Sequence, residues 1–122
     1  MRLWHEQLLQ HLPRQQLLGQ HRECCALRGN GWQKKHATVD YIFGYSPYKL
    51  YQYHMLVMKE MQRRGYQNDV LWEHHLYRGK SCQPFDYLEE VPYENPIYPE
   101  HNEDYFQECV INLEEKGIYL YI

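Results

Sequence analysis

The sequence lacks the run of about 20 consecutive apolar residues that a membrane-spanning helix needs. It also lacks an N-terminal signal peptide and any Cys-x-x-Cys pair, so its four cysteines are interpreted as reduced thiols. These absences exclude a membrane protein and a small secreted domain held together by disulfides. We therefore expect a soluble, cytoplasmic protein that acts without a membrane.

The motifs of several large enzyme classes are also missing. There is no P-loop, dinucleotide-binding fingerprint, nucleophile elbow or HExxH zinc motif. His74 and His75 with Cys82 resemble metal ligands in type, but their spacing matches no structural zinc pattern. We therefore expect neither a metal nor another cofactor.

Charge is distributed unevenly along the chain, although the net charge is only -3. Residues 1–80 carry twelve Lys and Arg against six Asp and Glu, whereas residues 81–122 carry one against ten. This asymmetry indicates a basic working surface for a polyanion, flanked by an acidic segment. Ordinary surface charge is the alternative explanation.

Length and composition predict one compact domain over residues 1–122, with 43% apolar residues. Apolar periodicity and end signals predict a mainly α fold with about three main helices joined by long irregular segments, roughly 13–27, 47–64 and 101–116. Between the first two helices, residues 37–43 are either a short extended piece or a connection. The apolar residues 118–122 should dock against the domain.

The second predicted helix begins at a clear signal, because Ser46 can cap it and Pro47 suits its first position. His54 lies within the apolar stripe of this helix. A buried, hydrogen-bonded structural histidine is the favoured interpretation there, ahead of a catalytic or ligand role.

The first helix carries the most distinctive pattern. Its buried side is predicted from five positions at helical spacing, Leu17, Leu18, His21, Cys24 and Cys25. Four residues line the opposite, polar face: Gln16, Gly19, Gln20 and Glu23. A glycine inside a helix costs about 1 kcal/mol relative to alanine, and close approach of a ligand to the backbone is one reason to keep it. This face is therefore either a ligand site beside Glu23 or a solvated surface with an incidental glycine.

Basic and aromatic residues alternate in the loop that follows, where Trp32 precedes Lys34, Lys35 and His36. This composition suits base stacking and phosphate contact. A solvated lysine pair is the alternative.

Three segments resemble a known family in their order and sequence. They are His11–Glu23 (HLPRQQLLGQHRE), Tyr48–Leu50 (YKL) and Glu60–Tyr66 (EMQRRGY). Together they resemble the pyrimidine dimer DNA glycosylases of the phage endonuclease V type, and especially the bacterial relatives of those enzymes. The similarity is best over residues 1–66, and Lys116–Tyr119 (KGIY) resembles the family's ending more loosely.

The resemblance implies a mechanism for a compact, mainly helical domain. In this family the chain's own α-amino group attacks C1′ of a damaged nucleotide, releases the base and forms a Schiff base, and β-elimination then breaks the strand. The bulky Arg2 should keep the initiator methionine in place, so the amine would belong to Met1. The glutamate matching Glu23 acts as acid and base, and the arginine matching Arg22, with Arg2 beside the amine, holds phosphates.

The resemblance also implies the partner, which is damaged double-stranded DNA bound by a monomer. The remaining residues expected to bind DNA are Arg14, Gln16, Gly19, Arg28, Lys34 and Lys35. Gln16 matches a histidine of the family, and Arg28 lies close to Ala26, which matches a family arginine.

The leading hypothesis is therefore a DNA repair glycosylase with abasic-site lyase activity. A non-catalytic nucleic-acid or protein-binding module on the same scaffold is the first alternative. An enzyme that uses the same amine on another aldehyde or glycosidic substrate is the second.

Overall fold

The computed structural model describes residues 2–35 and 37–122. Three helices, α1 (Arg14–Arg28), α2 (Pro47–Arg63) and α3 (Glu103–Glu115), form most of the regular structure. Short 3-10 helices occupy Glu6–His11, Asp40–Gly44 and Val70–Glu73. The described residues contain no β-strand. The predicted mainly α fold with three main helices is therefore confirmed, with helix ends within two residues of those expected.

Local sequence signals set the ends of the helices. Leu12 is extended, as the residue before a proline tends to be, and α1 begins directly after Pro13. Ser46 accepts a hydrogen bond from the Tyr48 amide at the start of α2. Asn102 does the same for the Tyr105 amide at the start of α3.

The core lies where α1 packs on α2, with α3 and the chain before α1 closing it. Its fully buried side chains come from all of these elements and include Leu3, Leu8, Leu17, Cys24, Leu50, Tyr53, Val57, Cys109 and Leu113. His54 is also fully buried and hydrogen-bonded, so its expected burial and hydrogen bonding are confirmed. Residues 40–44 form a 3-10 turn rather than an extended piece.

The segment at residues 2–5 runs through the interior rather than along the surface. Leu3 is fully buried and Trp4 is 6% exposed. Tyr53 of α2 donates a hydrogen bond of 2.6 Å to the Trp4 carbonyl, and Tyr105 of α3 donates one of 2.5 Å to the Leu3 carbonyl. These two tyrosines therefore fix the N-terminal segment between two helices.

The C-terminal residues dock only in part. Ile118 and Leu120 pack against the core, whereas Tyr119, Tyr121 and Ile122 are exposed. The prediction that the whole segment docks is therefore wrong, since only alternate side chains face the domain. In the described part of the chain, no helix combines the length and the apolar character needed to cross a membrane.

A buried histidine links three parts of the fold. The Nδ1 atom of His101 accepts a hydrogen bond from the Glu6 amide, and its Nε2 atom lies 2.7 Å from the Tyr41 hydroxyl. Burial, followed by the nearby His5, lowers the pKa of His101 to about 3. The imidazole is therefore neutral in the folded protein at all ordinary pH values.

This histidine should make the fold sensitive to acid. Its pKa is below the ordinary value of 6.5, so its contribution to stability is complete above pH 6.5 and decreases as the pH falls toward 3. Each such group lowers the free energy of unfolding by up to about 1.4 kcal/mol per pH unit. We expect His101→Gln to be less stable at pH 7 but to show a shallower decline between pH 6.5 and 4, measured by urea denaturation.

The exposed His11 provides the control. His11→Gln should follow the wild-type pH profile. An unchanged slope in His101→Gln would contradict the assignment of a buried, neutral imidazole.

Candidate active site

A single glutamine joins the N-terminal segment to Glu23. The Nε2 atom of Gln20 donates hydrogen bonds of 3.1 Å to the Arg2 carbonyl and 3.1 Å to Oε2 of Glu23. Gln20 precedes Glu23 by about one turn of α1, so helix geometry places both side chains on the same side. The backbone of residue 2 therefore lies beside the Glu23 carboxylate.

The other end of the same amide is equally constrained. Oε1 of Gln20 accepts a hydrogen bond from the Trp4 amide at 2.7 Å and lies 2.9 Å from the Tyr53 hydroxyl oxygen. Gln20 is only 1% exposed, so the prediction that it lies on a polar outer face is wrong. It is buried because its amide satisfies backbone groups of the buried N-terminal segment.

A cavity of about 230 Å³ opens beside this bridge. Its lining is mainly polar and comes from the N-terminal segment, α1, the residue 38 region and the end of α3: Arg2, Trp4, Glu23, Thr38, Asn112 and Lys116. A carboxylate that can transfer a proton therefore shares the cavity with two cations that can hold an anion.

Arg2 lines the cavity, and its guanidinium lies near one carboxylate and two aromatic rings. Its guanidinium lies 2.9 Å from Glu108 and within about 6 Å of the Trp4 and Tyr105 rings. The Arg2 side chain is 17% exposed and that of Glu108 is 62% exposed, so water reaches the ion pair from the Glu108 side. A phosphate can compete with it for the guanidinium.

Three other residues expected in the site lie on α1. Gln16 and Gly19 are half-buried on the same helix as Glu23, and Arg22 is exposed. A Cβ atom on Gly19 would lie 3.7 Å from the Arg22 guanidinium, which is an ordinary contact. Crowding inside the protein therefore does not require this glycine. Met1, the expected nucleophile, and His36 lie outside the described residues.

The phosphate ligands expected at the start of α1 and in the loop after it are exposed to solvent. Arg14 is exposed and stacks 5.6 Å from the Tyr66 ring. Lys34 and Lys35 are exposed. Lys35 is three residues before Thr38, which lines the cavity, so the Cα atoms of these two residues are at most about 11 Å apart. Trp32, expected to offer a stacking face, packs edge-on against Phe43 at 5.0 Å and is only partly accessible.

Arg28 occupies a position unlike the one expected for a phosphate ligand. It is 6% exposed, and its guanidinium donates to the carbonyls of Trp72, His74 and Tyr77. Both terminal nitrogens of the guanidinium are therefore occupied by groups of the protein itself. We therefore leave Arg28 out of the DNA-binding surface.

Comparison with known proteins gives the family. A sequence model described as pyrimidine dimer DNA glycosylase matches residues 1–74, which is more than half of the chain. The chain belongs to the pyrimidine dimer DNA glycosylase family. No curated protein and no solved structure gives a significant match. The segment matched by the glycosylase family contains α1, α2 and Glu23, whereas α3 lies beyond it.

A second polar cluster lies within the glycosylase-family segment. The side-chain donor atoms of His21, Cys25 and His54 lie within 4.8 Å of one another, which is the spacing of a metal site. However, Arg28 lies 2.9 Å from Nδ1 of His54, and a guanidinium can only donate. The proton of His54 is thus on Nε2, which lies 2.8 Å from Nδ1 of His21.

This arrangement of hydrogen-bond donors and acceptors does not suit a metal ion. A metal-ligating histidine normally donates its second ring N–H to an acceptor, whereas His54 accepts from a cation there. Burial, followed by the charge of Arg28, also lowers the pKa of His54 well below its usual value. We interpret the cluster as a chain of neutral histidines that positions α1 against α2.

The sequence patterns placed Gln20 on the correct face of α1, beside Glu23, but as an exposed rather than a buried residue. They did not assign four of the residues that line the cavity to the site: Trp4, Thr38, Asn112 and Lys116. A signal for Lys116 was present, because it is the single basic residue in the acidic segment 81–122. Only the fold shows that it meets Glu23 across the cavity.

Proposed function

We propose that this member of the glycosylase family removes damaged pyrimidines from DNA and cleaves the resulting abasic site. In this proposal the Met1 α-amine is the nucleophile and Glu23 is the acid and base. The observation that carries it is the Gln20 bridge, which joins the Arg2 carbonyl and the Glu23 carboxylate through one nitrogen. Met1, which bears the amine, therefore directly precedes Arg2 in the sequence, and the Arg2 carbonyl is held beside Glu23.

The chemistry follows from these two groups. The neutral amine attacks C1′, the bond from C1′ to the base breaks, and the departing base takes up a proton. Glu23 then protonates O4′ as the C1′–O4′ bond breaks, which opens the ring and gives a Schiff base between C1′ and the amine. Removal of a C2′ proton by Glu23 forms a double bond to C3′ and expels the 3′ phosphate. Water hydrolyses the Schiff base and releases the protein.

An α-amine is well suited to this role. Its pKa of about 7.7 to 8.0 leaves roughly a tenth to a fifth of the group neutral at pH 7, whereas a lysine near 10.4 leaves well under a thousandth. A neutral amine is the form that attacks carbon.

Substrate binding is proposed to use the cations around the cavity. Arg2, Arg14 and Arg22 would hold backbone phosphates, with Lys34 and Lys35 contacting the duplex further out. Glu23 and a damaged nucleotide would meet in the cavity, into which the nucleotide must be extruded from the stack. The Gln20 bridge does not favour the non-catalytic alternative, which would separate Glu23 from the N-terminal segment.

Glu23→Gln should abolish most of the reaction while preserving binding. The amide cannot transfer a proton, so we expect the rate of borohydride-trappable adduct formation on abasic duplex DNA to fall by about 10²- to 10⁴-fold. Gel analysis of trapped complexes over time provides the measurement, with pyrimidine-dimer duplexes run in parallel.

The exposed Glu89 supplies the control. Glu89→Gln should trap at the wild-type rate. An adduct rate in Glu23→Gln equal to wild type would eliminate Glu23 as the acid and base, and absence of any wild-type adduct on both duplexes would overturn the proposed function.

Gly19→Ala should separate stability from function. Alanine fits without a clash and favours the helix, so the free energy of unfolding should rise by up to about 1 kcal/mol. If Gly19 makes room for the extruded nucleotide, the added methyl group should lower the affinity for an abasic duplex, measured by fluorescence anisotropy.

Gly44→Ala is the matched control, since a Cβ there meets nothing within 4 Å. It should leave DNA affinity unchanged. Unchanged affinity in Gly19→Ala as well would show that this glycine does not border the bound nucleotide.

A further inference from the structure

A second groove opens at the C-terminal end of α1. Its volume is about 360 Å³, larger than that of the cavity beside Glu23. One wall comes from the last turn of α1 and the turn after it, and the other comes from the loop of residues 78–82. The family-matched segment ends at residue 74, so this loop lies outside it. We call this feature the α1-end groove.

Arg78 joins the two walls of the α1-end groove. Its guanidinium donates hydrogen bonds of 3.1 Å to the Arg28 carbonyl and 3.1 Å to the Gly29 carbonyl. The last carbonyls of a helix carry partial negative charge, which would repel an anion. Because the Arg78 cation is bonded to these carbonyls, it offsets that charge at the wall of the groove.

The rest of the 78–82 loop is anchored on both sides of Lys80. Gly79 has a φ of 92°, and a Cβ there would lie 3.2 Å from the Trp72 ring, so this position packs closely against the tryptophan. Cys82 donates a hydrogen bond of 2.9 Å to the side-chain oxygen of Asn30. Lys80 is exposed between these anchors and lines the groove. Its backbone is therefore held in place by contacts of its neighbours.

The charged residues that line the α1-end groove are all positive. Among the lining residues that the structure describes, Arg78 and Lys80 are cations, and none is an aspartate or glutamate. Two other grooves do contain carboxylates, Glu6 and Glu60 in one and Glu73 in the other. The whole chain carries 16 acidic residues against 13 Lys and Arg. On this acidic protein, the α1-end groove is thus a surface that attracts an anion.

Lys80 differs from cations that have partners within the protein. Arg63 and Arg64 both pair with Glu60, and Lys49 pairs with Glu94. Within residues 2–35 and 37–122, no carboxylate lies within ion-pair distance of Lys80. Its charge can therefore meet an anion from outside the protein.

α1 connects the groove to the candidate active site. Ala26 is exposed and lines the groove, and it follows Arg22 by four residues and Glu23 by three. Helix geometry places these residues on one face, with Ala26 about one turn, or roughly 5.4 Å, further along the axis. Beyond the groove, the amide of the exposed Lys34 donates to the carbonyl of Gly31, which also lines the groove. Cations thus follow one another along a path that begins beside Glu23.

We propose that the α1-end groove binds the phosphodiester backbone of the DNA beside the damaged nucleotide, with Lys80 as a phosphate ligand. A polyanion fits better than a free phosphate because Arg22, Lys80 and Lys34 lie along the same path. This inference rests on the proposed function, since it names the course of the DNA that enters the cavity beside Glu23. A solvated lysine on an anchored loop is the competing explanation.

The first test is the salt dependence of binding to a duplex with a tetrahydrofuran abasic analogue, which cannot form a Schiff base. Loss of one phosphate contact should make the slope of log affinity against log salt less steep by about 0.9, measured from about 50 to 200 mM. We expect this change in Lys80→Ala and a near wild-type slope in Lys80→Arg. An unchanged slope in Lys80→Ala would overturn the proposal.

Lys59→Ala is the matched control, because Lys59 is an exposed lysine in the groove that contains Glu6 and Glu60. Its slope should equal that of wild type. An equal change of slope in Lys59→Ala and Lys80→Ala would reject a specific contact in the α1-end groove.

Neutral methylphosphonates, introduced one at a time beside the abasic analogue, locate the contact. In wild type, the affinity should fall most at the phosphate that faces Lys80. Lys80→Ala should lose no further affinity at that position, because the contact is already absent. Equal losses in wild type and Lys80→Ala at every position would contradict a direct contact.

Ser81→Glu tests the groove without removing the lysine. Ser81 is exposed and lines the same groove, so a carboxylate there should repel the DNA backbone and weaken binding. Ser81→Gln has a side chain of the same size without the charge and should bind more tightly than Ser81→Glu. Equal affinities of the two variants, with melting temperatures like that of wild type, would show that DNA does not enter the groove.

Trapping on reactive abasic DNA separates this proposal from the proposed function. A changed salt slope in Lys80→Ala, without any trapped adduct in wild type, would retain the groove as a DNA site and reject the lyase reaction. A normal wild-type adduct with an unchanged slope in Lys80→Ala would reject the groove and leave the lyase reaction in place. Absence of salt-dependent binding in wild type would overturn the proposed groove whatever the outcome of trapping.

Discussion

The structure depends on burying the backbone of residues 2–5 in the middle of a helical domain. This segment forms no strand, so side chains must satisfy its polar groups. Gln20 bonds to the Arg2 carbonyl and the Trp4 amide, while Tyr53 and Tyr105 bond to the carbonyls of Trp4 and Leu3. An unsatisfied buried group would cost about 1 to 3 kcal/mol, so these bonds determine how all three helices surround the segment.

The candidate site is a consequence of the same arrangement. Gln20 uses one hydrogen to hold the N-terminal segment and the other to orient Glu23, so the fold and the site share a single amide. The glycosylase-family segment supplies this framework, and α3 closes the cavity with residues of its own. Glu23 thus lies in the family segment, whereas Asn112 and Lys116 of the cavity wall come from α3 and its C-terminal end.

The sequence predicted the helices well because their signals are local. Pro13, Ser46 and Pro47 act on their immediate neighbours, and the apolar stripes of α1 and α2 repeat within a few turns. Gln20 and Arg28 were misplaced because their partners lie 16 to 49 residues away in sequence, so no local pattern indicates that their polar groups are satisfied inside. Lys116 was missed for the same reason, since helical spacing cannot show which cavity a helix end adjoins.

The proposed mechanism requires the N-terminal α-amine and Glu23 to act together on C1′ of the damaged nucleotide. Its most direct test is to reduce the wild-type complex with abasic DNA by borohydride, digest the adduct and locate the modified residue by mass spectrometry. We expect the deoxyribose remnant to be attached to the α-nitrogen of Met1. Attachment to a lysine side chain, with the N-terminal peptide unmodified, would contradict it.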